Sequence, residues 1–171
     1  MFKNFKPKNE TNACSVSIKT EGDNCCTPQP KGKVICPKCS QKAKGVLGKT
    51  LNALLKDETK MNLSCLDGFY YCKTPSCKVI YFREYTILTQ NDLKVVVGLK
   101  DGAKPATLCY CFGWTKEKIK AELEISGKTT ALEDIKAKMQ NPGCSCEVKN
   151  PSGGCCLADV TKGIKELILP S

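Results

Sequence analysis

The chain is predicted to be α+β, a small β-sheet subdomain followed by an all-helical subdomain of three short helices. Three observations predict this. Around residues 78–84, Val79, Tyr81 and Arg83 alternate with Ile80, Phe82 and Glu84, the period of a strand. After the charged segment Lys100-Asp101-Gly102-Ala103-Lys104-Pro105, apolar residues recur every three to four positions instead, the period of a helix. The 14 cysteines of this 171-residue chain also fall into separate groups on the two sides of that segment, so each part carries its own set of candidate metal ligands.

Composition narrows the chemistry. The N-terminal residues have no apolar run of the kind a secretory signal needs, and no stretch approaches the roughly 18 apolar residues of a membrane span. A cytoplasmic, reduced chain is therefore expected, and in that setting clustered cysteines bind metal more often than they pair. Histidine is absent, which removes Ser/His/Asp and His-based acid–base catalysis and points to a metal-handling or electron-transfer protein rather than an enzyme. Thiolates with no imidazole suit soft metals or clusters. The formal charge of +10 is spread over lysines, with Arg83 the single arginine and no basic run interleaved with aromatics. This describes a solvated basic surface suited to an acidic protein partner rather than to nucleic acid. Gly45-x-x-Gly48-Lys49-Thr50 resembles the end of a phosphate loop but lacks its four-residue gap and a preceding strand.

Taken in order, residues 1–33 are polar and rich in proline and glycine, and are expected to be a flexible arm. The arm carries Cys14 and the adjacent Cys25 and Cys26, either a soft-metal pair able to hold Cu(I) or exposed thiols with no fixed partner. Residues 34–100 form the expected zinc-binding, β-rich domain. Leu47, Leu51, Leu54 and Leu55 suggest a short helix over Thr50–Lys56; residues 68–72 and 78–84 are expected strands, and 94–99 a third. Cys36-x-x-Cys39 and Cys72-x4-Cys77 supply two knuckles whose four sulfurs can close a tetrahedron at about 2.3 Å per Zn–S bond. With all four positions filled by protein, this predicts a structural zinc site. Cys65 is the rival to Cys72, but no second cysteine stands at knuckle spacing from it.

Residues 107–169 form the expected helical domain. Thr115 can cap a helix over 116–126 that Gly127 ends. Thr130 with Glu133 has the capping-box spacing for a second helix to about Met139, stopped by Asn141-Pro142-Gly143. A third helix is expected from about Cys156 to Leu167, with Leu157, Val160, Ile164 and Leu167 as its apolar stripe. Cys109 and Cys111 can join two of Cys144, Cys146, Cys155 and Cys156 in a second four-thiolate set. The spacing leaves open which two. Cys156 at a helix N-terminus would set a negative cluster against the positive end of the helix dipole, whereas Cys155 could take that role with Cys156 packed as an apolar residue.

The segment CYCFGWTKEKIKAEL, followed by two short helices and a cysteine loop, resembles the 2Fe–2S domain of bacterioferritin-associated ferredoxins (BFD-like). With CPKC…FYYCKTPSCKVIYF…DLKVVVGLK upstream and CEVKNPSGGCCL downstream, the chain from about Cys36 to Val160 resembles the N-terminal half of the long-form CopZ copper chaperones. The resemblance implies Cys36, Cys39, Cys72 and Cys77 as zinc ligands and Cys109, Cys111, Cys146 and Cys156 as ligands of a 2Fe–2S cluster. It implies a redox-active iron–sulfur and zinc protein supporting copper trafficking by one-electron transfer, such as reduction of Cu(II) to Cu(I). Its implied partners are a copper-transfer domain or copper-transporting ATPase, and an electron donor. A ferredoxin-like carrier serving another partner and a metal- or redox-responsive adaptor are the alternatives. The sequence departs from the family in having no M-x-C-x-x-C copper loop.

Overall fold

The computed structural model describes residues 34–169. The arm cysteines Cys14, Cys25 and Cys26 lie outside the described residues. The elements are β1 (Ala43–Gly45), α1 (Gly48–Leu54), α2 (Asp57–Met61), β2 (Tyr70–Cys72), β3 (Tyr81–Arg83), β4 (Thr86–Leu88), β5 (Thr107–Cys109), β6 (Trp114–Thr115), α3 (Lys116–Ser126), α4 (Ala131–Gln140), α5 (Cys146–Lys149) and α6 (Leu157–Ile168). The class is α+β.

Strands β1 to β4 form one antiparallel sheet in chain order. Alternation along β2 and β3 gives the sheet two apolar faces. Tyr71 and Tyr81, with ring centroids 5.9 Å apart, share one core with Phe69, Ile80, Leu51 and Leu55. Tyr70 and Phe82, stacked at 5.8 Å, belong to a second core that includes Cys36, Cys72 and Cys77. Both faces are covered, which is why the run FYYC is apolar throughout rather than alternating with polar residues.

The third strand expected over 94–99 does not form. Glu84 takes a left-handed conformation (φ 48°), and the chain reverses at once, so that β4 pairs with β3 through Tyr81↔Leu88 and Arg83↔Thr86. The valines of 95–97 instead serve a crossing segment. Lys94 N–H donates to Leu54 O at 2.8 Å, Val97 N–H to Gln90 Oε1 at 2.9 Å, and Val97 is buried. Val95 packs partly against the same core and Val96 is exposed, so β-branched composition here does not report strand pairing. The first helix starts and ends earlier than expected, because Leu55 is extended and bridges to Leu93.

The C-terminal part is not all-helical. It opens with the two-stranded β5–β6 ladder and has four helices, the extra one being the single turn α5. Helix α3 has the expected caps: the Thr115 hydroxyl accepts from Lys118 N–H, and Gly127 adopts the left-handed conformation at φ 69°. The capping box expected at Thr130 is not made. The Glu122 carboxylate reaches back from α3 and takes the Thr130 N–H at 2.8 Å, the Thr130 hydroxyl at 3.1 Å and the Thr129 hydroxyl at 2.7 Å. A reciprocal capping box occurs instead at Thr89 and Asp92. Helices α3, α4 and α6 converge on Ile119, Ala131, Ile135, Val160 and Ile164, with Cys109, Cys146 and Cys156 in the same core. Gly163 lets α6 approach β5 closely: a Cβ there would stand 2.5 Å from Leu108 Cδ1 and that side chain would have to shift. No helix among the described residues is long and apolar enough to cross a membrane.

Candidate metal centres

The first centre grows from two turns facing each other across the sheet edge. An isolated bridge between Ile35 and Lys42 closes the first knuckle. Within it Ser40 N–H donates to Cys36 O at 2.9 Å, Cys36 N–H donates to Gln41 O at 2.8 Å, and Ser40 turns the chain with φ 56°. The second knuckle begins where β2 ends: Cys72 N–H donates to Ile80 O at 2.9 Å, and Cys77 N–H donates to Thr74 O at 3.3 Å. The four ligand atoms of Cys36, Cys39, Cys72 and Cys77 all lie within 4.8 Å of one another. Cys36 Sγ is 3.9 Å from Cys77 Sγ, and Cys39 Sγ is 3.6 Å from Cys72 Sγ. A tetrahedron with bonds of about 2.3 Å has edges of about 3.8 Å, so the spacing fits one tetrahedral ion. The group contains Cys72, not Cys65.

Electrostatics divides these thiols. The Thr74 hydroxyl, 3.3 Å from Cys39 Sγ, is the main cause holding that thiol down to about 6. Burial pushes Cys72 up to about 12 and also raises Cys77. Buried sulfurs of this kind become anionic readily only with a cation among them, which the donor set invites. A second positive charge is built in. Lys100 Nζ donates to Cys72 O at 2.8 Å, Thr74 O at 2.9 Å and Val79 O at 2.8 Å, tying the second knuckle together. Its burial lowers its pKa and the nearby thiolates act in the opposite direction. Sequence reasoning placed Lys100 in a linker, and nothing in its context signals this role.

The second set is arranged differently. Among the described residues, Cys109, Cys111, Cys146 and Cys156 do not close into one four-sulfur group of that size; they stand as two pairs. Cys111 Sγ is 3.7 Å from Cys146 Sγ. The Cys156 thiol beside Cys109 is the main cause holding Cys109 down to about 6, and the same contact raises Cys156. Burial pushes Cys146 up to about 12. Cys109, Cys146 and Cys156 are buried and Cys111 is half-buried, whereas Cys144 and Cys155 are exposed. Cys156 is the N-cap residue of α6, and Val160 N–H donates to its carbonyl at 2.9 Å.

A cleft of about 1060 Å³ is lined by both the sheet and the helical parts, and its walls include Lys42, Lys73, Lys116, Lys162, Asp159 and Glu166. Lys73, next to Cys72, pairs with the largely buried Asp159 of α6 at 2.9 Å, and Lys116 pairs with Glu166 at 3.0 Å.

Comparison with known proteins bears on this geometry. Residues 33–94 match the model of the CopZ-type zinc-binding domain. The chain is 36% identical over 121 residues to the copper chaperone CopZ of Archaeoglobus fulgidus, an alignment covering 71% of this chain and 57% of that protein. The X-ray structure of the Archaeoglobus fulgidus CopZ N-terminal domain superposes with a TM-score of 0.64 at 35% identity, over 75% of this chain and 96% of that domain. The chain belongs to the family of the CopZ N-terminal domain. It spans little more than half the length of the curated CopZ relative. The match to the CopZ N-terminal domain covers more of this chain than the zinc-binding segment alone.

Proposed function

We propose that the chain is a metal-handling protein of the CopZ type that supports copper trafficking, with a structural zinc at Cys36, Cys39, Cys72 and Cys77 and a 2Fe–2S cluster at Cys109, Cys111, Cys146 and Cys156. One observation carries the second assignment. Two thiol pairs, 109/156 and 111/146, share one apolar core. Two pairs suit two tetrahedral irons, whereas one tetrahedral ion needs the single tight group seen at the first set.

A 2Fe–2S cluster held there would supply one-electron transfer, and an electron passed to Cu(II) yields the Cu(I) that thiolates hold well. The chain's own residues shape that chemistry. Ile119, Ile135 and Val160 exclude water from Cys109 and Cys156. The half-buried Cys111 leaves one edge open to an electron donor or to copper. The closed zinc set takes no part in redox chemistry and holds the sheet together. The copper-transfer domain or copper-transporting ATPase that receives the ion, and the donor that re-reduces the cluster, belong to the same proposal. The lysine-rich surface of the chain suits acidic surfaces on such partners.

The test is anaerobic purification with zinc, iron and sulfide quantified against the visible spectrum, followed by Cu(II) added to the dithionite-reduced protein with a Cu(I)-specific chelator present. One zinc and two irons per chain are expected, with one Cu(I) formed per cluster oxidised. Four irons without zinc, or an iron-free chain, would sink the assignment.

A further inference from the structure

The loop between Cys146 and Cys156 is anchored less by its own helices than by the sheet half. Tyr81 of β3 is fully buried, and its hydroxyl donates to Pro151 O at 2.7 Å. Thr50 of α1 is equally buried, and its hydroxyl donates to Glu147 O, the residue after Cys146, at 2.6 Å. Lys49 pairs with the Glu147 carboxylate. Around these anchors the loop is shaped to fit. Gly153 lies at φ 63°, where a Cβ would stand 3.1 Å from Thr50 Oγ1. The buried Asn150 donates to Gly154 O at 2.7 Å and accepts from Ser152 N–H at 3.1 Å.

We infer that Tyr81 and Thr50 are positioning residues for the second cysteine set: hydroxyls on the zinc-binding half fix the loop that brings Cys146 to Cys111 and Cys156 to Cys109. The inference rests on the proposed reading of these cysteines as cluster ligands. Deprived of its donor, the buried Pro151 carbonyl must find water or move, and the part-buried Glu147 carbonyl loses the bond that ties it to α1. Here a movement of Pro151 or Glu147 displaces a cysteine at either end of the loop. The phenol and the alcohol are used for their single O–H donors: the Tyr81 ring already sits in the sheet core, and Thr50 is fully buried. Tyr81→Phe and Thr50→Val therefore remove the contact and leave the packing.

The experiment uses the full chain purified anaerobically. Wild type, Tyr81→Phe, Thr50→Val and the double variant are compared by iron release to a ferrous chelator, visible circular dichroism and zinc content. Each single variant is expected to release iron about ten-fold faster, the loss of one anchoring hydrogen bond, with altered dichroism and zinc unchanged. Tyr70→Phe is the control, because the Tyr70 hydroxyl is buried without a hydrogen-bond partner, and it should behave as wild type. Unchanged iron release and dichroism in the double variant would overturn the inference, as would zinc released in step with iron, the sign of general unfolding. If the wild type itself holds no iron, the cluster assignment fails and alkylation mapped by mass spectrometry decides the positioning. Labelling of Cys146 and Cys156 about ten-fold faster in Tyr81→Phe supports it, and equal labelling overturns it.

Discussion

Lys100 shows how a single side chain can hold a metal knuckle in shape. Its ammonium satisfies three carbonyls around Cys72 and Cys77 while placing a positive charge beside four sulfurs. Lys100→Met keeps the aliphatic stem but removes the ammonium from all three carbonyls, of which Thr74 O keeps its bond from Cys77 N–H. It should cost about 2 kcal/mol or more in chemical denaturation and speed zinc loss to a chelator, measured by zinc-indicator absorbance. At the second set, exposure separates neighbouring thiols: Cys155 is open to solvent, while Cys156 is in the core beside Cys109. On the proposed assignment Cys156→Ser loses the visible absorption of the cluster and Cys155→Ser keeps it. The reverse pattern would exchange the two residues' roles.

Among the elements, α3 and α4 depend on caps of different origin. Thr115 caps α3 locally, so Thr115→Ala should lower stability by about 1 kcal/mol, a shift in Tm of about 3 °C for a chain of this size. The start of α4 depends on Glu122 of the preceding helix. The Thr129 hydroxyl, then the Thr130 N–H, hold the Glu122 carboxyl below the usual carboxylate range. A carboxylate depressed in the folded state contributes stability that is present above its unfolded pKa and is lost as pH falls through its folded pKa. Thermal melts of wild type and Glu122→Gln should therefore differ at neutral pH and converge as acid protonates Glu122. A constant difference down to the acid limb would show that the carboxylate charge is not what matters.

Across the whole molecule, the sheet and helical halves meet along several seams at once. Gly98 lies against β5 so closely that a Cβ would stand 2.1 Å from Thr107 O and 2.2 Å from Thr107 N. Backbone cannot yield as a flexible side chain can, and nearby Gly98 N–H also donates to the Tyr110 hydroxyl at 2.8 Å. Gly98→Ala should separate the halves, with a loss of about 3 kcal/mol or more seen as a broader, lower-temperature calorimetric transition. A sharp transition at the wild-type temperature would show that this seam contributes little.

The features legible in the sequence alone were those set by short-range geometry. The Cys36-x-x-Cys39 and Cys72-x4-Cys77 turns name their own sulfurs because a knuckle of so few residues constrains both side chains. Thr115 and Gly127 mark the ends of α3 because capping involves only three or four neighbouring residues. The 144–156 stretch, by contrast, offered four chemically identical thiols. Which of them are buried follows from the docking of Pro151 and Glu147 onto Tyr81 and Thr50, residues about 70 and 97 positions away. The same holds for the failed strand at 94–99, whose valines fit a strand pattern but are used for a crossing between halves, and for Lys100, a linker residue by composition and a knuckle clamp by position. Local pattern encodes backbone conformation and ligand type. Burial, pairing and charge neutralisation depend on which distant surfaces meet, and period and spacing do not carry that information.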